Sequence, residues 1–486
     1  MKYGKMKIVL LLLAALFLGF AGAYTGVKLA NQGESTIEQS ANKGATERAD
    51  EQAATTPKDM QKVVQAYTLI KQNYLKDVDD KQLIEGAIQG MLTTLEDPFS
   101  SYMDAESMKD FNEQIEAEFE GIGAEVSMVE GKVTIVAPIK DSPAEKAGLR
   151  PNDQVLSVDG KSLEGLDLNE AVAKIRGEKG SEVVLEVKRA AASEPFDVTI
   201  VRDTIPVETV YNDLKTVNGK QTGILEVTNF SEHTAEEFTE QLDSLEKKGI
   251  EGLVIDVRGN PGGLLNVVED MLKLFIPEDM PYLQIEDQNG DKTPYYSQLK
   301  EKKEYPITVL VDEGSASASE ILAVAMKEAG YDVVGQTSFG KGTVQQAVPL
   351  GDGSTIKLTF YKWLSPKGNW INEKGVEPTI EKKQPDYYYS NPIQIDDPFG
   401  FDQSDEKIGN IQKMLSGLDY EPGREDGYFS KETVKAVKKF QQKNDIKVTG
   451  EVDKKTAGLL ETKIVEKIRN GEDDVQLDTA LKALYK

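Results

Sequence analysis

The sequence contains no cysteine and a single histidine, His233. The first absence removes thiol nucleophiles, thiolate metal sites, disulfides and any lipidated cysteine behind a leader. The second leaves a Ser/His/Asp triad or a multi-histidine metal site only one residue to build on. His233 stands among Glu232, Glu236 and Glu237, which read as the polar start of an exposed helix, so no catalytic role is expected of it. Basic charge is also short: 57 Lys plus Arg stand against 83 Asp plus Glu, a formal charge of -26 at pH 7. That surplus repels phosphate backbones and leaves no basic stripe, which excludes nucleic acid as a partner.

Long apolar runs are confined to the start of the chain. Lys2, Lys5 and Lys7 precede an uncharged run from Ile8 to about Ala23, and the next charge is Lys28, the pattern of an export signal. The run is short against the roughly 20 residues a bilayer requires, yet counting to Val27 makes a span. Ala21-Gly22-Ala23 reads equally as a cleavage site, so anchor and cleaved signal stay open for residues 1–30. In both cases the lysines leave the remainder outside the cytoplasm. Residues 31–57, rich in Glu, Gln, Ser, Thr and Ala without apolar periodicity, read as a solvated linker.

The rest of the chain reads as multidomain α+β, with room in 486 residues for about three domains. Apolar positions at helical spacing (Val63, Tyr67, Ile70, Tyr74, then Leu83, Ala87, Met91 and Leu95) predict a helical N-terminal region over 58–118, broken at Asp97-Pro98. Short β-rich runs with helices at Pro143 to Ala147 and Leu168 to Ile175 predict a small β-rich module over 119–204. Over 205–385, buried-type strands at Leu253 to Val257 and Ile307 to Val311 alternate with helices at Leu264 to Phe275 and Glu320 to Ala329, implying parallel pairing in an α/β core. After a linker at 386–405, a helical domain is expected over 406–466 and a tail over 467–486. In that domain Asp426-Gly427-Tyr428-Phe429 with Thr433 echoes Thr449-Gly450-Glu451-Val452-Asp453 with Thr456.

Two segments carry chemistry. Gly314-Ser315-Ala316-Ser317-Ala318-Ser319-Glu320 follows a buried strand and opens a helix, which puts its hydroxyls at a carboxyl end of the sheet, beside backbone N–H groups able to hold an oxyanion. Ser317 and Glu320 also spell a capping box, a purely structural alternative. The second segment is Phe339-Gly340-Lys341-Gly342-Thr343-Val344-Gln345. Gly335 to Lys341 nearly spells a phosphate-binding loop, but Gly342 stands where Ser or Thr would hold magnesium, so the nucleotide reading is rejected. Gln345, four residues past Lys341, shares its face in a helix or a strand. A lysine acts as a base only when neutral, and an ordinary one is neutral in about one copy in 2,500 at pH 7. Burial has to supply about 4 kcal/mol, a size that desolvation reaches.

These segments, with Gly375-Val376-Glu377-Pro378, resemble the carboxy-terminal processing (tail-specific) protease family, from about Val63 to Ile380. The resemblance implies a crotonase-like core with Ser317 as nucleophile, Lys341 as general base and Gln345 as the group orienting Lys341. It implies oxyanion donors at Ala318 and at Gly262 or Gly263 of Arg258-Gly259-Asn260-Pro261-Gly262-Gly263, and needs no metal or other cofactor. Thr379 departs from the Asp more usual in the family after this proline, a change expected to matter for packing. Gly121-Ile122-Gly123-Ala124, with Asp141 to Leu149 and Asp153 to Gly160, resembles a PDZ domain that takes peptide C-termini; Arg176 is the candidate for coupling it to the protease. The 406–466 region resembles a peptidoglycan-binding module, a generic three-helix bundle being the alternative. The function expected is an exported serine endopeptidase reading substrate tails, wall-associated, membrane-attached if the leader is retained, with homodimer formation open. The competing reading is a non-catalytic adaptor tethering protein tails to the wall.

Overall fold

The computed structural model describes residues 59–486 apart from 130, 190, 191, 193, 392, 394 and 396. The leader and linker expectations for 1–57 lie outside the described residues. Among the described residues no helix is long and apolar enough to cross a membrane. Spatial contacts divide the chain into two units, residues up to 105 with 345–359, and 106–344 with 360–486.

In the first unit, helices α1 (Met60–Asn73) and α2 (Asp80–Thr93) follow the predicted spacing. The carboxylate of Asp79 caps α2 by accepting from Gln82 N. Strand β1 (Ser101–Met103) pairs antiparallel with residues 355–357, setting Ser101 opposite Lys357. The break at Asp97-Pro98 is a turn in which the Asp97 carboxylate accepts from Phe99 N and Ser100 Oγ.

Helix α3 (Ala105–Glu116), in the second unit from Glu106 on, leads to β2 (Glu118–Gly121), which pairs with β9 (Asp203–Pro206). Between them lies the β-rich module: β3 (Ala124–Val129), β4 (Lys132–Pro138), helix α4 (Pro143–Lys146), β5 (Gln154–Val158), β6 (Lys161–Ser162), helix α5 (Leu168–Ile175), β7 (Glu182–Lys188) and β8 (Phe196–Val201). The sheet runs β3-β4-β5-β7-β8, which leaves β3 at an edge. Alternating residues of β4, β5 and β7 close a separate core around Ile135, Val155, Leu185 and Ala171.

The α/β core is a six-stranded sheet ordered β10-β11-β12-β15-β16-β19. Its first two strands, β10 (Val210–Val217) and β11 (Lys220–Val227), form a hairpin turned at Asn218-Gly219, both in the left-handed region. From β11 on, β12 (Gly252–Asp256), β15 (Ile307–Val311), β16 (Asp332–Gly335) and β19 (Ile380–Glu381) are parallel, as predicted. Leu253, Ile255, Val309, Val311 and Val333 face helices α6 (Thr234–Lys247), α7 (Leu265–Leu272) and α8 (Ala318–Glu328). Val254, Leu310 and Val334 point to the opposite face, so these strands carry buried apolar residues on both faces. Strands β13 (Pro281–Glu286) and β14 (Lys292–Tyr296) form an antiparallel pair, extended by Lys362, Trp363 and Leu364. Those three end the long strand β18 (Thr355–Leu364), which follows β17 (Thr343–Pro349) in the chain.

Helices α9 (Glu406–Gly417), α10 (Lys431–Lys443) and α11 (Lys454–Arg469) share a core around Phe440, Leu415 and Leu460. The sequence echo is a repeat in space. Buried Gln412 accepts from Gly427 N and donates to Thr433 Oγ1; buried Gln441 accepts from Gly450 N and donates to Thr456 Oγ1. The segment 467–486, expected as a tail, contains a further helix, α12 (Val475–Ala483). Ala480, Leu481 and Leu484 cover the face formed by Ile224, Val254, Leu310 and Val334, and Tyr485 Oη is 2.6 Å from Thr222 Oγ1.

Candidate active site

The loops leaving the carboxyl ends of β12 and β15 meet, as parallel sheets allow at that end. The first is Arg258-Gly259-Asn260-Pro261-Gly262-Gly263. Asn260, wholly buried, donates to Val227 O (2.7 Å) and accepts from Gly262 N (2.9 Å). Its carbonyl accepts from Ala316 N and from Ser319 Oγ, so one asparagine ties the glycine loop to the serine turn. Asp312 adds a second tie, its Oδ1 accepting from Gly259 N and Gly314 N.

The three serines of the turn differ. Ser315 and Ser319 are 0% exposed, and their hydroxyls donate to core carbonyls, Val257 O at 2.8 Å and Asn260 O at 2.9 Å. Ser317 is partly exposed and sits at φ 54, ψ -111, a strained conformation for a residue with a side chain. Such strain concentrates at reactive positions because surrounding structure has to hold it. Ala318 opens α8, and a β-carbon placed on Gly262 would lie 2.8 Å from Ser317 Cβ and 3.0 Å from Ala318 N. Only glycine fits there, and the fit brings the Gly262 backbone against Ser317 and Ala318. Gly262 N–H is committed to Asn260.

Lys341 lies in the loop before β17. The loop reaches the serine turn through Glu320, whose Oε2 accepts from Ser317 N and Lys341 N at 2.8 Å each. Glu320 therefore makes the predicted capping-box bond back to the N-cap amide. Trp363 Nε1 donates to Lys341 O at 2.9 Å. Gly340 and Gly342 permit close packing here: a β-carbon on Gly342 would meet Trp370 Nε1 at 2.7 Å. Gln345 lies in β17, so it and Lys341 share no single element and the common-face argument does not apply. In the first unit, Gln345 Nε2 donates to Thr359 Oγ1 (3.0 Å), which donates to Asp97 Oδ2 (2.7 Å).

In the β-rich module, Ile122 O accepts from Ala144 N, and Gly123 O accepts from Ser142 Oγ and Ile139 N. Those bonds shape the loop of Gly121 to Ala124 that leads into edge strand β3. Arg176, at the end of α5, stacks 4.8 Å above the Phe119 ring and lies 3.7 Å from Glu113 of α3. His233 is exposed at the start of α6. Thr379 fixes a sheet edge, its hydroxyl accepting from Val333 N and donating to Asp332 Oδ1. Asn260, Asp312 and Thr359 carry no signal in the sequence, because their partners are distant along the chain.

The chain is 53% identical over 472 residues to the carboxy-terminal processing protease CtpB of Bacillus subtilis, covering 97% of both chains. It belongs to this protease family. Residues 221–382 match Peptidase family S41, which makes the chain a serine peptidase. Residues 16–107 match the activating protease CtpB N-terminal domain, 134–189 a PDZ domain, and 404–460 a peptidoglycan binding domain. Carboxy-terminal processing protease CtpA of the same organism is 43% identical, covering 89% of this chain and 92% of that one. A solved photosystem II D1 C-terminal processing protease aligns over 68% of this chain and 94% of its own at 25% identity, with a TM-score of 0.41.

Proposed function

We propose that the protease works with a Ser317/Lys341 dyad outside the cytoplasm, at the cell wall, on proteins captured by their C-terminal tails. The observation that carries the dyad is selective: of the three serines only Ser317 is partly exposed and strained, and its amide shares the Glu320 carboxylate with that of Lys341. Ser317 Oγ attacks the peptide carbonyl carbon while the neutral Lys341 amine takes the hydroxyl proton. The N–H groups of Ala318 and Gly263 receive the oxyanion. The C–N bond then breaks, Lys341 returns the proton to the leaving amine, and water activated by Lys341 releases the acyl group. Gln345, held by Thr359, is the third residue that the family resemblance implies for this chemistry.

The module over 119–204 receives the tail: amides around Gly121 to Ala124 cradle the carboxylate, while the β3 edge pairs with the extended peptide. Arg176 passes occupancy of that groove toward α3. Replacing it with alanine should abolish stimulation by tail peptides while leaving unstimulated cleavage intact; unchanged stimulation would remove it from this role. Peptidoglycan is the ligand of the 406–466 module, and membrane attachment holds if the leader is retained. The dyad is tested by Lys341→Ala, which should end cleavage of an unfolded reporter without changing the unfolding midpoint. Retained cleavage would refute Lys341 as the base.

A further inference from the structure

We infer that Glu320 is the positioning residue of the dyad, an inference that rests on the Ser317/Lys341 reading. Glu320 is 0% exposed, and both its oxygens are saturated. Oε1 accepts from Ser338 Oγ and Gly340 N, each at 2.6 Å. Oε2 accepts from Ser317 N and Lys341 N, each at 2.8 Å. A helix-capping glutamate requires only the bond to the N-cap amide. The other three donors come from the lysine loop, 18 to 21 residues along the chain.

Physical cost argues for a purpose. A carboxylate withdrawn from water is expensive unless its lone pairs are satisfied, and these four bonds satisfy them without a cationic side chain. Ser338 Oγ in turn accepts from Val376 N at 2.7 Å, so its one proton is directed at Glu320. Lys341 is thus fixed at both backbone polar atoms, N by Glu320 and O by Trp363. The amides at 317 and 341 are held within two hydrogen-bond lengths of each other, which sets where both side chains begin. Glutamine cannot reproduce the pattern: its NH2 would face two N–H donors or a hydroxyl proton and an N–H.

The test compares Glu320→Gln and Ser338→Ala with wild type by steady-state kinetics on a tail-bearing peptide, pH profile and urea unfolding. Glu320→Gln should lower kcat at least 30-fold with KM within threefold. The acid limb of kcat/KM should move to higher pH, because a misplaced Lys341 gains water and holds its proton more tightly. Ser338→Ala, which removes one anchor, should lower kcat about fivefold, as expected for a neutral hydrogen bond of about 1 kcal/mol. It carries the test if Glu320→Gln fails to fold. A folded Glu320→Gln with kcat within twofold of wild type, or an unmoved acid limb with losses that track the unfolded fraction, overturns the inference. Lys341→Ala is run in parallel: activity there would fail the dyad itself, whatever Glu320 does.

Discussion

Asp474 and Arg258 meet through two hydrogen bonds, Nη1 to Oδ1 at 2.9 Å and Nη2 to Oδ2 at 2.8 Å, across 216 residues of chain. Arg258 begins the glycine loop of the active site, and Asp474 caps α12. Burial works to raise the Asp474 pKa, but the hydrogen bond and charge of Arg258 win and hold it below the usual carboxylate value. A depressed carboxylate stabilises the fold above its unfolded pKa, and that contribution fades as pH falls through the lower folded value, below about pH 4. Asp474→Ala should cost about 2 kcal/mol at pH 7, since Arg258 loses one of its two carboxylate partners while keeping Asp256, and the difference from wild type should shrink in acid. Urea unfolding at pH 7 and pH 3 checks both; equal midpoints at pH 7 would contradict the account.

Glu269, on α7, predicts the opposite trend. Burial pushes its carboxyl up to about 7, with Lys273 opposing and Asp270 adding to the rise. Its Oε1 has no hydrogen-bond partner among the described residues. A raised carboxyl favours the fold below its unfolded pKa, near 4.3, and that advantage is lost as pH climbs to about 7. Wild type should therefore lose up to about 3 kcal/mol between pH 4.5 and 8, and Glu269→Gln should flatten the slope. Thermal midpoints across that range decide it; parallel slopes would refute it.

The two glycines of the oxyanion loop should fail differently. A β-carbon on Gly262 presses on Ala316 O and Ser317 Cβ, so Gly262→Ala should lower kcat about 100-fold with the fold retained. On Gly263 it would lie 2.2 Å from Phe230 O, so Gly263→Ala should lose several kcal/mol of stability. Kinetics and unfolding measured on both variants separate the effects; a fully active Gly262→Ala would contradict the proposed geometry.

Thr359 accepts from Gln345 Nε2 and donates to Asp97, which fixes the amide with its oxygen as the acceptor end. Thr359→Val should lower kcat about fivefold, the loss of a bond worth about 1 kcal/mol, while Thr359→Ser stays near wild type. Equal kcat for the valine variant would remove the relay.

Local signals carry much of this architecture. The runs at 253–257 and 307–311, apolar but for Asp256 and Thr308, are central parallel strands, and Asp167-x-x-Glu170 caps the helix predicted at Leu168 to Ile175. The serine and lysine segments can be named from their residues. The features that stay hidden depend on distance along the chain. Glu320 reads as a helix cap because the Lys341 loop that completes its bonding is not adjacent in sequence. α12 reads as a tail because the face it covers is made of alternate strand residues whose second burial nothing local reveals. The extended strand Thr355–Leu364 escapes a local reading for a similar reason, its partners lying at 101–103 and 284–286.

The central claim is tested most directly by reacting the protease with a serine-directed phosphonate and mapping the adduct. Ser317 alone should be modified, and the label should be lost in Lys341→Ala. Modification of Ser315 or Ser319, or undiminished labelling without Lys341, would contradict the dyad.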